Sequence, residues 1–199
     1  MHREPTEFAA RRRVALGLLV LASGGLAACT TTGPAGSATA SAKRHEIDAA
    51  VDATLTKLYD TTPGSRELVQ RASGVLVFPS IIRISFGIGG AHGDGALLGR
   101  NGHTLGYYTV NAGSIGLQAG AQSQAAVYLF MTPDALQHFR ESNGWTAGVD
   151  ATVAVAKVGA NGRIDTASAQ QPVIAFVLIN AGLAAGVALE GAKVTPMAT

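Results

Sequence analysis

Apolar residues recur at helical spacing between residues 43 and 60. Ile47, Val51, Leu55, Leu58 and Tyr59 fall on one stripe, which predicts a helix with a single buried face. Ser41 stands where a helix cap would. Thr62-Pro63 restarts the pattern, with Thr as cap and Pro at the first helical position. The second helix runs through Leu68, Val69 and Ala72 and ends near Gly74. From Gly74 the period falls to two. Residues 74–78 (GVLVF) form a short apolar run closed by Pro79, as a buried strand would. Residues 95–100 and 103–110 flank Asn101-Gly102, a strong hairpin signal. Ile115, Leu117, Ala119 and Ala121 then alternate with Gly116, Gln118, Gly120 and Gln122, and residues 125–131 form a further strand. Thr132-Pro133-Asp134 opens a helix to about Ser142, with Leu136 and Phe139 facing inward and Asn143-Gly144 ending it. Val149, Ala151, Val153 and Val155 alternate again, and Asn161-Gly162 marks a second hairpin. Residues 173–179 and 183–189 read as two more strands.

The stretch 173–189 has no charge, yet it falls short of the ~20 residues a membrane helix needs. Asn180, Gly182 and Gly186 interrupt it, so it is read as two buried strands. Short strands with Asn-Gly turns predict an α+β fold, mainly antiparallel β. The expected core is a small β-barrel with about three helices packed on the outside. Glycines within strands suit such curvature. Gly116 and Gly120 are the positions expected to allow close strand approach.

The first residues follow another pattern. Arg11, Arg12 and Arg13 precede an apolar stretch from Val14 to Leu21, and small residues follow. This is the layout of a secretory signal peptide. It ends in Leu26-Ala27-Ala28-Cys29, which resembles the lipobox of bacterial lipoproteins. The resemblance implies cleavage before Cys29 and acylation of that residue. Thr30, not Asp, follows it, which favours the outer membrane on its periplasmic side. Residues 1–28 are therefore assigned to a signal peptide. Residues 29–42, with the low-complexity run TTTGPAGSATASA, become an acylated Cys and a flexible tether. The folded domain spans 43–199.

Composition narrows the function classes. The 199-residue chain is 47% apolar and 14% charged, with 25 Gly and a single Cys. One Cys excludes an intrachain disulfide framework and a Cys-based zinc module. A net charge of +2 lacks the basic footprint of a nucleic-acid binder. From Cys29 onward the chain carries eleven basic and eleven acidic residues, so the anchored domain is neutral.

No catalytic set converges. Residues 87–93 (GIGGAHG) place His92 where G-x-G-x-x-G needs its third Gly, and no Lys-Ser/Thr pair follows. Ala112-Gly113-Ser114-Ile115-Gly116 approximates a nucleophile elbow, but Ser114 opens a strand, not a strand-to-helix turn. His45, His92, His103 and His138 show no i, i+4 pair for a metal. The expectation is a protein that is no enzyme and uses no metal or cofactor.

Six blocks in order carry a family resemblance: ASGVLVFP (72–79), FGIGGAHGDGALL (86–98), YY (107–108), GSIGLQAGAQ (113–122), LFMT (129–132) and NGWTAGVDATVAVA (143–156). Through roughly residues 45–197 the chain closely resembles the SYLF domain family. The resemblance implies a non-enzymatic lipid-binding module on a β-barrel with peripheral helices. It also implies phosphoinositide binding in eukaryotic relatives, and actin association in some. Those relatives bind lipid through a basic amphipathic helix. The matching helix here carries Lys43, Arg44 and Lys57 against Glu46, Asp48, Asp52 and Asp60, a net of −1, so its stripe is expected to pack on the barrel.

The expected partners are the membrane, through acyl chains on Cys29, and anionic phospholipid or phosphoinositide headgroups, bound weakly. Arg66, Arg71, Arg83 and Arg100 are the candidate headgroup residues. No nucleic acid is expected, and the sequence names no protein partner. The alternative is an envelope scaffold that binds a protein through Gly-rich loops and exposed aromatics such as Tyr107, Tyr108 or Trp145.

Overall fold

The computed structural model describes residues 35–156, 164, 170–179, 182–183 and 191–197, without the side-chain surroundings of 35–38, 87, 114–119 and 182–183. Cys29, the predicted signal peptide, the Asn161-Gly162 turn and residues 184–189 lie outside that description.

Helix α1 spans Ala35–Thr61. Its predicted stripe is buried, with Ile47, Val51, Leu55 and Leu58 packed against the sheet. It starts eight residues before the predicted helix, so residues 35–42 of the predicted tether are helical and Ser41 caps nothing. That segment, AGSATASA, holds four alanines. Ala has the best helix propensity, and extending an existing helix avoids the cost of nucleation. Helix α2 spans Ser65–Arg71, after Gly64 at φ 83°. It does not start at Thr62-Pro63. The Thr62 N–H donates to Leu58 O at 2.9 Å, so Thr62 closes the last turn of α1.

Strands β1 (Gly74–Gly99) and β2 (Thr104–Phe130) form one long antiparallel hairpin. It absorbs the predicted short strands around the predicted Asn101-Gly102 turn, where Gly102 sits at φ 80°. Pro79 does not end the strand. Between Phe78↔Ala126 and Ile81↔Gln124 the first strand advances three residues and its partner two, a β-bulge. Proline is tolerated at such a bulge, and among the described strands β1 pairs with β2 alone.

Helix α3 (Pro133–Glu141) starts as predicted, with Thr132 Oγ1 accepting from Ala135 N at 3.2 Å. Strands β3 (Trp145–Thr146), β4 (Val153–Val155), β5 (Val173–Ile179), β6 (Gly182–Leu183) and β7 (Lys193–Pro196) complete the described elements. Residues 125–130 of β2 pair with β5, and residues 108–111 pair with β7. The sheet is mostly antiparallel and curls into a half-barrel. Among the described strands the one parallel pair is β4 with β5.

The curl comes from the hairpin folding back on itself. A Cβ at Gly93 would stand 2.5 Å from Ser80 O, and one at Gly95 would clash with Val77 O. Gly93 and Gly95 thus let the second half of β1 lie against the first. The predicted Gly120 has nothing within 4 Å of such a Cβ, so it is not a close-approach position. Between the folded halves lies an aromatic core of Phe78, Tyr108, Tyr128, Phe130, Phe139 and Trp145. A second core lies on the outer face, where α1 and α2 cover Val75, Val77, Leu98, Val127 and Leu129. β5 is buried on both faces from Val173 to Leu178, which explains its unbroken apolar run.

Candidate functional site

Parity along β1 decides which side chains reach solvent. Before the bulge, Leu76 and Phe78 point into the half-barrel. The extra residue at Pro79-Ser80 flips that alternation, so Ile81, Ala91 and Leu97 point inward. Ile82, Ile84, Phe86 and Ile88 therefore stand on the outer face. Their exposures are 53%, 55%, 81% and 79%. Elsewhere α1 and α2 cover this face; here nothing described does.

The middle of the hairpin is a two-stranded ribbon. Residues 112–124 of β2 lie between the segments paired with β7 and β5 and, among the described residues, pair with β1 alone. Across from the exposed side chains stand small residues: Ser123 opposite Ile82, Ala121 opposite Ile84, Ala119 opposite Phe86. Residues 80–91 and 112–124 contain no carboxylate, and Arg83 is their only charged side chain. The other exposed large apolar residues, Leu105, Val149 and Ile179, stand singly on other segments. An apolar stripe of four on one ribbon face is a different feature.

The four predicted arginines stand on three segments. Arg66 and Arg71 are exposed on α2, and Arg66 lies over the Tyr59 ring at 4.1 Å. Burial raises the Tyr59 phenol above its usual pKa, and the Arg66 charge pulls it back. Arg83 is half-buried on the ribbon, opposite Gln122. Arg100 is exposed in the hairpin turn and lines a groove of about 650 Å³ that none of the other three lines. The second arginine of that groove is Arg140 on α3. Sequence reasoning missed it, because only the fold brings residue 140 near residue 100.

The aromatics of the scaffold alternative are not surface groups. Trp145 is 1% exposed and Tyr108 is 9% exposed, both in the core. Tyr107 is half-buried and its hydroxyl donates to Asp48 Oδ2 at 2.9 Å. At the base of the ribbon, Asp94 pairs with Lys43 at 3.2 Å and accepts from Thr109 Oγ1 at 2.9 Å. His92 Nδ1 lies 2.9 Å from Asn111 Oδ1. Among the described residues no three of His, Cys, Asp and Glu gather as a metal site would need, and no helix is long and apolar enough to cross a membrane.

Residues 111–198 match the family model Ysc84, described as Las17-binding protein actin regulator. The match is consistent with the SYLF domain family. The match takes in most of β2, the whole of α3 and the strands that follow it. The ribbon is thus partly inside the matched region, through β2, while β1 and the two N-terminal helices precede it. No curated protein matches the chain.

Proposed function

We propose that this is an outer-membrane lipoprotein, anchored through Cys29 on the periplasmic side, whose SYLF domain rests on the lipid surface. The observation that carries the reading is the outward face of Ile82, Ile84, Phe86 and Ile88 on a ribbon with no carboxylate. The four side chains expose on the order of 500 Å², within the range of functional apolar patches. A stable protein interface needs about 800 Å² per partner, so this stripe is too small to hold a second copy by itself. A lipid interface has no such threshold, because each apolar side chain that leaves water contributes separately. Arg83 adds attraction for anionic headgroups, phosphoinositide-type headgroups among them, as the family resemblance suggests. Among the described residues nothing pairs with the outer edges of the ribbon, and a ribbon with open edges docks at the headgroup boundary and does not span.

This reading revises the weak, arginine-driven binding expected from the sequence. The apolar contribution is insensitive to salt, and only the arginine contribution is screened. The protein-scaffold alternative loses its aromatic surface, since Tyr108 and Trp145 are core residues.

The test places a fluorophore on the stripe. Phe86→Trp, in the full chain and in its Cys29→Ser variant, is mixed with phosphatidylglycerol–phosphatidylcholine vesicles brominated on the acyl chains. Buried Trp145 supplies a constant background. Quenching of the new tryptophan is expected. Emission that stays unquenched on vesicle-bound protein, or a dimer in sedimentation with the tryptophan protected, overturns the docking of the ribbon.

A further inference from the structure

The Arg100–Arg140 groove lies away from the ribbon. β1 begins at Gly74, runs out to the ribbon and returns to Gly99 against its own first half. Ser73 and Arg100 flank those two ends and line the same groove. The exposed stripe lies at the middle of the strand. A ligand of the groove is therefore not explained by the docking of the ribbon.

We infer that this groove is a binding site for a phosphate-bearing organic anion. Three observations converge. Arg100 and Arg140 both line it, and neither has a hydrogen-bond or ion-pair partner among the described residues. The Ser73 hydroxyl is buried at the groove and has no hydrogen-bond partner among the described residues. A buried hydroxyl left unpaired is costly and calls for an explanation. The one carboxylate of the lining, Glu141, is engaged by Gln137 Nε2 at 2.7 Å. Two guanidinium groups against one engaged carboxylate leave the groove cationic.

The chemistry selects phosphate. Guanidinium presents a planar fork of N–H donors that matches phosphate oxygens in pairs. The Ser73 O–H is a further donor. At about 650 Å³ the groove is far larger than a phosphate group and has the size of an organic ligand site. Pro133 and Leu136 give it an apolar wall. Phosphate would sit between the arginines, with the organic part against that wall. The phosphate ester can belong to a soluble metabolite or to a lipid headgroup; both offer the same oxygens.

The test uses the full chain in neutral detergent, titrated calorimetrically with glycerol 3-phosphate. Separately, phosphatidylglycerol–phosphatidylcholine vesicles are offered to the Phe86→Asp variant in the Cys29→Ser chain, in which the ribbon contact and the anchor are both removed. Arg100→Gln and Arg140→Gln are each expected to weaken glycerol phosphate binding at least tenfold. Ser73→Ala is expected to weaken it several-fold without lowering the melting temperature, because it removes an unpaired buried hydroxyl. Vesicle binding that depends on Arg100 and Arg140 in the Phe86→Asp background assigns the phosphate to a lipid. Glycerol phosphate binding without it assigns a soluble ester. The site is overturned by the absence of both, or by binding that the two arginine variants leave unchanged. An unquenched Phe86→Trp would sink the ribbon and leave this calorimetry untouched.

Discussion

At the scale of single residues, the tightest constraints sit at two glycines and one tyrosine. Gly93 and Gly95 face the backbone of Ser80 and Val77, where no side chain fits. Gly95→Ala is therefore expected to cost about 2 kcal/mol or more by overpacking. Gly120→Val faces open space and should stay within about 0.5 kcal/mol of wild type. Urea midpoints of the two variants check the pair, and equal midpoints would refute the fold-back. Tyr128 is wholly buried, its hydroxyl has no partner among the described residues, and burial pushes the phenol far above its usual pKa of 10.0. Below pH 10 the group is neutral in both the folded and the unfolded chain. As pH rises past 10 the unfolded phenol ionises and the folded one does not, so stability falls. The slope for one such group is about 1.4 kcal/mol per pH unit. Tyr59, Tyr107 and Tyr108 are raised too, and add to the same alkaline loss. Tyr128→Phe should flatten the decline above pH 10 and raise stability at neutral pH by about 1 kcal/mol. Denaturation midpoints from pH 8 to 11 decide it, and an unchanged slope counts against the buried phenol.

At the scale of elements, the bulge at Pro79-Ser80 sets the character of the long hairpin. One additional residue turns Ile82, Ile84, Phe86 and Ile88 outward and Ile81 inward. Deleting Ser80 would restore strict alternation from Phe78 onward. Counted from Phe78 in, Pro79 out and Ile81 in, Ile82 and its three companions would keep pointing outward, and Ile81, Ala91 and Leu97 would stay in the core. The deletion removes the bulge and not the core contacts, so it should cost no more than about 3 kcal/mol, the ordinary range for a single change. A deletion variant that no longer folds, or in which the Phe86 position is shielded from solvent, would show that this parity does not control the face. The α1 helix teaches a related lesson. Its apolar stripe was readable from residue 47 onward, and burial follows it closely. Its beginning was not readable, because Ala-, Ser- and Thr-rich segments suit a tether as well as the end of a helix that is nucleated elsewhere.

At the scale of the whole molecule, the proposed function would divide membrane attachment between an anchor and a docking ribbon. Five residues lie between Cys29 and the start of α1, six steps along the chain and a span of about 20 Å at most when fully extended. An acylated Cys29 would hold the domain at high local concentration near the surface, so the ribbon needs only modest affinity of its own. Cys29→Ser should abolish incorporation of labelled fatty acid and shift the protein out of the outer-membrane fraction. Unchanged labelling would remove the lipoprotein reading and leave the ribbon measurement standing. In the Cys29→Ser chain, rising salt should reduce vesicle binding only in part, since Arg83 is screened and the isoleucines and Phe86 are not.

The sequence by itself determined the elements whose signals are local. Thr132 and Pro133 cap α3 wherever they occur, since the cap needs only neighbouring backbone. Asn101-Gly102 turns the hairpin because Gly102 accepts a positive φ. The unbroken run in β5 reflects burial on both faces. The order of the six blocks pointed to the SYLF family, and the family model matches residues 111–198. Tertiary structure alone decided everything that depends on which distant residues meet. It put the close-approach glycines at 93 and 95, because only the fold-back brings them against Val77 and Ser80. It put Trp145 and Tyr108 in the core, since an aromatic in a strand carries no mark of which face will be covered. It set Arg100 beside Arg140, forty residues apart, and left Arg66 on Tyr59. Local propensity is written in neighbouring residues. The exposure of a face and the grouping of charges are properties of the packed sheet.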